Sequence, residues 1–207
     1  MFKYVVVATL IILGIVNASQ LDPYIVHYIA EKCSLISSNE TRQIQLMNTY
    51  QCQVLHHQLK SGEDYYRFYC ERKFGKPCAE IIVPYFVECL NSEEQYISNF
   101  LISSFQEIIT HMCSKDKLEF LNVFNNLEKV ECIANETFSD LTINCFDTVF
   151  KKDDQSEFVL SQPFVCGRLP EFKICLEEAA QINCESNLLS DFLSDFFHPL
   201  VNWCKTN

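Results

Sequence analysis

Glycine is scarce in this sequence, which has only four glycines in 207 residues. Small β-sheet proteins need glycine at the tight turns between strands, so this scarcity argues against a β-sandwich or a β-barrel. Apolar side chains instead recur every three or four positions over long stretches, as they do between Ser92 and Cys113. The fold class we expect is therefore all-α, a helical bundle.

Catalytic motifs are also missing. The sequence has no G-x-S-x-G elbow, H-E-x-x-H metal site, Walker loop, dinucleotide fingerprint or calcium-binding loop. The adjacent His56 and His57 would point about 100° apart on a helix, so they cannot chelate one metal in the usual manner. Asp191 and Asp195 are typical of a solvated helix face. We expect no enzymatic activity, no catalytic residue and no cofactor.

No C-x-x-C pair is present, which argues against a zinc site. Cys52 and His56 are one helical turn apart, but nothing nearby supplies further ligands. An even number of cysteines in a secreted chain indicates a disulfide framework instead, whose pairing cannot be deduced from sequence. We expect six bridges among the twelve cysteines: Cys33, Cys52, Cys70, Cys78, Cys89, Cys113, Cys132, Cys145, Cys166, Cys175, Cys184 and Cys204.

The N-terminus has the pattern of a secretory signal peptide. Lys3 precedes an apolar run from Val5 to Val16, which is long enough for a signal-peptide core and too short to cross a bilayer. Small residues up to Ala18 fit a cleavage site, so we assign residues 1–18 to the signal peptide. Residues 19–207 then form a single helical domain, and we expect the mature protein to be soluble and extracellular.

The chain is acidic, with 16 Lys and Arg against 27 Asp and Glu and a formal net charge of −11. Loss of Lys3 with the signal peptide would make it one unit more acidic. Because such a surface repels nucleic acid and anionic membranes, we expect neither as a partner. Asn39 and Asn135 each begin an N-x-Thr acceptor pattern, so we expect both to be glycosylated and exposed.

Periodicity and capping signals predict the positions of individual helices. We expect the Ser92–Cys113 helix to begin with a capping box formed by Ser92 and Gln95. The polar stretch 151–156 predicts an exposed loop. The other predicted helices cover about 23–35, 40–59, 63–74, 78–90, 116–131, 136–150, 170–184 and a C-terminal segment from 188, whose last turn Pro199 should kink.

The cysteine spacing indicates an internal duplication with pseudo-repeats at about 33–113 and 132–204. The segment Phe68–Arg72 matches Phe164–Arg168 around a cysteine, and both halves end in a Phe- and Leu-rich helix that leads to a cysteine. We expect two six-cysteine helical halves, packed as one domain, each closing three bridges.

Short segments around the cysteines form an ordered pattern over nearly all of the predicted mature chain. They are Tyr69–Lys73, Pro77-Cys78, Glu88–Gln95, Glu131-Cys132, Cys145-Phe146, Cys166-Gly167, Phe172–Leu176 and Trp203-Cys204. In these segments the sequence resembles the insect 27 kDa haemolymph glycoprotein family, and Phe74-Gly75-Lys76 are an insertion relative to that pattern. The resemblance implies a secreted, helical, disulfide-bonded haemolymph glycoprotein without established catalytic residues.

Two functions fit these features. The many Phe side chains could line a cavity for a small apolar ligand, which would make the protein a carrier, although a packed helical core also uses such stripes. The alternative is a secreted protein-interaction factor, such as an immune or salivary effector, which binds an extracellular protein. An enclosed Phe-lined cavity favours the first, and an exposed apolar patch favours the second.

Overall fold

The computed structural model describes residues 40–127, 129–134, 137–150 and 159–207. The predicted signal peptide 1–18, the predicted helix 23–35 and the predicted loop 151–156 lie outside the described residues. The same holds for Cys33 and for both predicted glycosylation sites, Asn39 and Asn135.

The prediction of an all-α, disulfide-stapled fold is confirmed, since the described ranges contain helices and turns and no strand. The helices are α1 (Glu40–His57), α2 (Gly62–Tyr66), α3 (Gly75–Val87), α4 (Tyr96–Ser114), α5 (Lys117–Leu127), α6 (Glu131–Ala134), α7 (Thr137–Phe150), α8 (Gln162–Asn183) and α9 (Asn187–Thr206). A π-helical turn, Arg67–Glu71, follows α2, and a 3-10 turn, Ser92–Glu94, precedes α4.

The contacts divide the chain into two compact units, with a boundary between Asn122 and Val123. This boundary falls between the sixth and the seventh cysteine, as the predicted duplication would place it. In the first unit, α3 packs against both α1 and α4. In the second unit, α8 packs against both α7 and α9. Each unit therefore has a central helix with a neighbour on either side.

Aromatic side chains fill the core of each unit. In the first unit, Phe100 and Val83 are each 1 % exposed, and the ring of Phe68 meets that of Tyr69 edge-on at 5.0 Å between centroids. In the second unit, a chain of ring contacts runs from Phe146 and Phe150 through Phe172 to Phe197 and Phe196, at centroid distances of 4.9 to 6.3 Å. Rings this close are in direct contact, as in a packed core.

The start of α8 differs from the sequence-based expectation. A helix was expected from about residue 170, but α8 begins at Gln162 and continues through Pro170. Pro163 lies in the first turn, where the missing N–H of proline has no partner to lose. Leu169 and Phe172, on either side of Pro170, are buried. The burial of this face therefore outweighs the one backbone hydrogen bond that Pro170 removes.

The capping box before α4 also differs from the one expected at Ser92 and Gln95. It is formed one residue earlier, where the backbone N–H of Asn91 donates to Oε2 of Glu94 at 2.9 Å. The side chain of Gln95 instead donates to the carbonyl oxygens of Val87 and Leu90 at 3.2 and 2.8 Å. Gln95 therefore caps the end of α3 rather than the start of α4.

Candidate functional site

The cysteines of the two units follow one bonding order. In the second unit, the first cysteine bonds to the fifth, the second to the fourth and the third to the sixth. The first unit shows the same second-to-fourth and third-to-sixth bonds, and its fifth cysteine, Cys89, is also disulfide-bonded. The bonded pairs, with Cα–Cα distances of 5.3 to 5.8 Å, are Cys52–Cys78, Cys70–Cys113, Cys132–Cys184, Cys145–Cys175 and Cys166–Cys204.

This order requires the third and fourth cysteines to face different neighbours. Nine positions separate Cys166 from Cys175 on α8, so at about 100° per residue their side chains point to roughly opposite sides of the helix. Cys175 bonds to Cys145 on α7, and Cys166 bonds to Cys204 on α9. The two bridges therefore hold α8 from both sides.

The first unit reaches the same order by interrupting the helix. Only eight positions separate Cys70 from Cys78, which on a continuous helix would leave their side chains about 80° apart. The chain instead forms the π-helical turn, passes through Lys73 with a φ of 54° and starts α3 at Gly75. Residues 74–76 lie at this break, which lets Cys70 and Cys78 reach α4 and α1.

The histidine pair of α1 forms no chelating site. His56 is 8 % exposed, and the rings of Tyr65, Phe68 and Tyr69 meet it edge-on at centroid distances of 5.8 to 6.4 Å. His57 is exposed to solvent. Burial raises the pKa of the Tyr69 hydroxyl far above its ordinary value, so this ring stays neutral. His56 is therefore part of the core and not a ligand.

Charged side chains cluster at the surface where α2 and α5 meet. Lys117 donates to Oε1 of Glu63 at 2.5 Å, lies 4.0 Å from Glu71 and stands 5.7 Å from the centroid of the Tyr66 ring. The hydrogen bond to Glu63 raises the pKa of Lys117. These groups are all partly exposed, so the cluster adds little energy to the contact between α5 and α2.

Within the described ranges, no group of three or more His, Cys, Asp or Glu side chains is placed to hold a metal ion. No described helix is long and apolar enough to span a bilayer.

The surface that stands out is one side of α1. Four large apolar side chains are exposed there: Ile44 at 54 %, Met47 at 65 %, Tyr50 at 64 % and Leu55 at 41 %. At about 100° per residue they fall within an arc of about 140°, which we call the α1 outer face. Cys52, on the other side of the helix, is buried and bonded to α3. The exposed side chains therefore form one surface rather than scattered single contacts.

Charged residues of α1 are confined to its first turn, which contains Glu40 and Arg42. From Gln43 to Gln58 the sequence has no Asp, Glu, Lys or Arg, although charged residues make up 21 % of the chain. The polar side chains around the α1 outer face are neutral and include the exposed Gln51. This uncharged stretch is the sequence feature that could have predicted the exposed apolar face. Periodicity alone does not reveal the face, because it assigns apolar positions of a helix to the core.

Helix α7 of the second unit is equivalent to α1 in the disulfide order, so the two helices can be compared position by position. Cys52 of α1 and Cys145 of α7 are both the second cysteine of their unit and both bond to the fourth. In the register that aligns them, the buried Thr49 corresponds to the buried Thr142. The two helices therefore place equivalent positions toward their cores.

The outward positions differ in the same register. Where α1 exposes Met47 and Leu55, α7 exposes Asp140 and Thr148, and the exposed Gln51 corresponds to the exposed Asn144. The Tyr50 position corresponds to Ile143, which is apolar and half-buried, so the difference lies at the Met47 and Leu55 positions. Apolar side chains at those two positions are not required by the fold, so they point to a contact with another molecule.

Comparison with protein-family models, curated proteins and solved structures gave no match for this chain. The resemblance to the insect haemolymph glycoprotein family therefore stays a prediction.

Proposed function

We propose that this chain is a secreted, non-enzymatic, disulfide-stapled protein that binds another protein outside the cell through the α1 outer face. The predicted signal peptide and the disulfide framework support an extracellular setting. The observation that carries the proposal is the exposed cluster of Ile44, Met47, Tyr50 and Leu55, which lies in a stretch of α1 without Asp, Glu, Lys or Arg.

The composition of this face is that of an interface core. Met and aromatic residues are enriched at the centres of protein interfaces, and charged residues are depleted there. The thioether of Met47 adapts to irregular partner surfaces, and Tyr50 offers a large ring with a polar hydroxyl. The face is also exposed on a helix, the geometry with which an apolar stripe docks against a partner surface.

The carrier hypothesis has less support. The Phe side chains that could have lined a ligand cavity, such as Phe146, Phe172 and Phe197, are in mutual ring contact in the core of the second unit. Rings that pack against one another are what a helical core needs without a ligand. A small apolar ligand stays a prediction that the native mass of the secreted protein would test.

Site-specific cross-linking tests the proposed function. A photo-reactive amino acid replaces Met47 in the full-length secreted protein, and the matched control carries it at Asp140. After illumination in the extracellular fluid of the source, we expect a protein adduct from position 47 and none from position 140. Leu55→Asp in the labelled protein should weaken the adduct at position 47, because it places a charge on the same face. Equal adducts at both positions, or none at position 47, would overturn the proposal.

A further inference from the structure

We infer that the protein which binds the α1 outer face is a second copy of this chain. This inference rests on the proposed function, because it names the partner of the same surface. It follows from three observations. The whole chain is acidic, the stretch Gln43–Gln58 has no Asp, Glu, Lys or Arg, and Met47 and Leu55 of α1 correspond to polar residues on α7.

Charge decides where two copies can meet. Each copy carries a formal net charge of −11, so two copies repel each other over most approaches. Burial of a carboxylate without a partner of opposite charge would add a desolvation cost. The stretch Gln43–Gln58 contains no Asp, Glu, Lys or Arg, so two α1 outer faces can come together without burying a carboxylate from that stretch. The face is therefore suited to contact with another acidic copy.

The chemistry of the face is also self-complementary. A two-fold symmetric contact places the same patch on both partners. Apolar side chains can pair with their own kind, whereas a charged patch would need an opposite patch on the partner. An antiparallel pair of α1 helices would bring Met47 of each copy close to Leu55 or Met47 of the other. Met47, Tyr50 and Leu55 would then exclude water from one another.

The size of the face sets the strength of the contact. An 18-residue helix such as α1 is about 27 Å long. Four side chains cover less than the ~800 Å² per partner that stable complexes bury. The dimer should therefore be weak and reversible, with dissociation on the order of micromolar. A two-fold contact uses the same face on both copies, so the assembly closes at two copies and does not extend into a filament.

Sedimentation velocity on the full-length secreted protein, from about 1 to 200 µM, tests this inference. Wild-type protein should shift from monomer to dimer as its concentration rises. The M47D/L55T variant, which carries the α7 residues on α1, should dimerise at least about tenfold more weakly. Ile182→Asp is the control, because it removes an apolar side chain that is 74 % exposed on α8 and adds the same charge. It should leave the dimer unchanged.

Ionic strength gives a second signature. Because like charge opposes this association, the dimer should become tighter as salt is raised, whereas an ion-paired dimer would weaken. A chain that is monomeric at every concentration, or an equal response of both variants, would overturn the inference. If the monomer still forms the adduct at position 47 with a different protein, and Leu55→Asp weakens that adduct, the second copy is excluded and the proposed function stands. If no adduct forms, both are overturned.

Discussion

Gly75 lies against the ring of Tyr69 so closely that a Cβ atom at position 75 would be 2.7 Å from Cε1 of that ring. Tyr69 is 4 % exposed and is packed by Phe68 and Phe105, so its ring has no free space to move into. The contact joins the π-helical turn to the first residue of α3. It is therefore part of the break that lets the third and fourth cysteines of the first unit face different helices.

Gly75→Ala should destabilise the protein by about 1–3 kcal/mol, because the added methyl group overpacks the Tyr69 ring. Gly167→Ala is the matched control, since a Cβ there meets nothing within 4 Å. That substitution lies inside the exposed part of α8 and should stabilise by up to about 1 kcal/mol through helix propensity. Guanidinium unfolding followed by circular dichroism measures both. Equal effects of the two substitutions would contradict the contact.

Lys73 and Glu185 hold left-handed backbone conformations, with φ of 54° and 47°. In each case the next residue donates its backbone N–H to a carbonyl near the end of the preceding helical segment. Phe74 donates to the carbonyl oxygen of Phe68, and Ser186 donates to that of Ala180. A side chain is strained there, and glycine is not. Lys73→Gly should therefore stabilise by up to about 1 kcal/mol.

The control for that prediction is Glu107→Gly, at an exposed position in the middle of α4, which should cost about 1 kcal/mol. Thermal unfolding compares the two variants with wild type. If Lys73→Gly destabilises as much as Glu107→Gly does, the left-handed conformation at Lys73 is not strained in the folded protein.

Cys89 is disulfide-bonded, and Cys184, the fifth cysteine of the second unit, is bonded to the first, Cys132. If the duplication extends to this bridge, Cys33 is the partner of Cys89. Proteolysis without reduction, followed by mass spectrometry, should recover a peptide pair that joins Cys33 to Cys89. A free Cys33 thiol, or a link from Cys33 to any other cysteine, would contradict the prediction.

Asp64 should make unfolding depend on pH in the acid range. The hydroxyl of Ser61 donates to its carboxylate at 2.8 Å, the backbone N–H groups of Lys60 and Ser61 also donate to it, and these bonds lower its pKa below the ordinary 3.8. A lowered folded-state pKa means that the stabilisation is present above the unfolded-state pKa and is lost as pH falls through the folded-state value.

The measurement is urea unfolding of wild type and Asp64→Asn from pH 7 down to pH 2. The stability difference between them should be constant above about pH 5 and should shrink below the ordinary pKa. Ser61→Ala removes the first of these bonds and should reduce the pH dependence without abolishing it. A difference that stays constant down to pH 2 would show that these hydrogen bonds do not act on the carboxylate.

Much of the fold followed from local pattern. The helix expected over 136–150 is observed as Thr137–Phe150, and the one expected over 40–59 as Glu40–His57, because apolar side chains at intervals of three and four positions need one buried side. The predictions failed where a local signal competed with packing. Pro170 suggested a helix start, yet the burial of Leu169 and Phe172 carries α8 through it.

The candidate surface was less accessible to the same reasoning. Periodicity treats Met47 and Leu55 as core positions, as it would on any amphipathic helix. Only the positions of α3 and the Cys52–Cys78 bridge show which side of α1 is turned inward. On α7 the corresponding positions are the polar Asp140 and Thr148, so the fold does not require apolar side chains at positions 47 and 55.

By itself, the sequence determined the helical class and the presence of a disulfide framework, because helix formation and cysteine number depend on residues close together in the chain or on simple counting. The tertiary structure decided the disulfide pairing. Six cysteines per unit allow 15 pairings, and the sequence alone does not distinguish between them. It also decided which apolar side chains stay exposed. Burial depends on contacts between residues far apart in sequence, and those contacts exist only when the helices are packed.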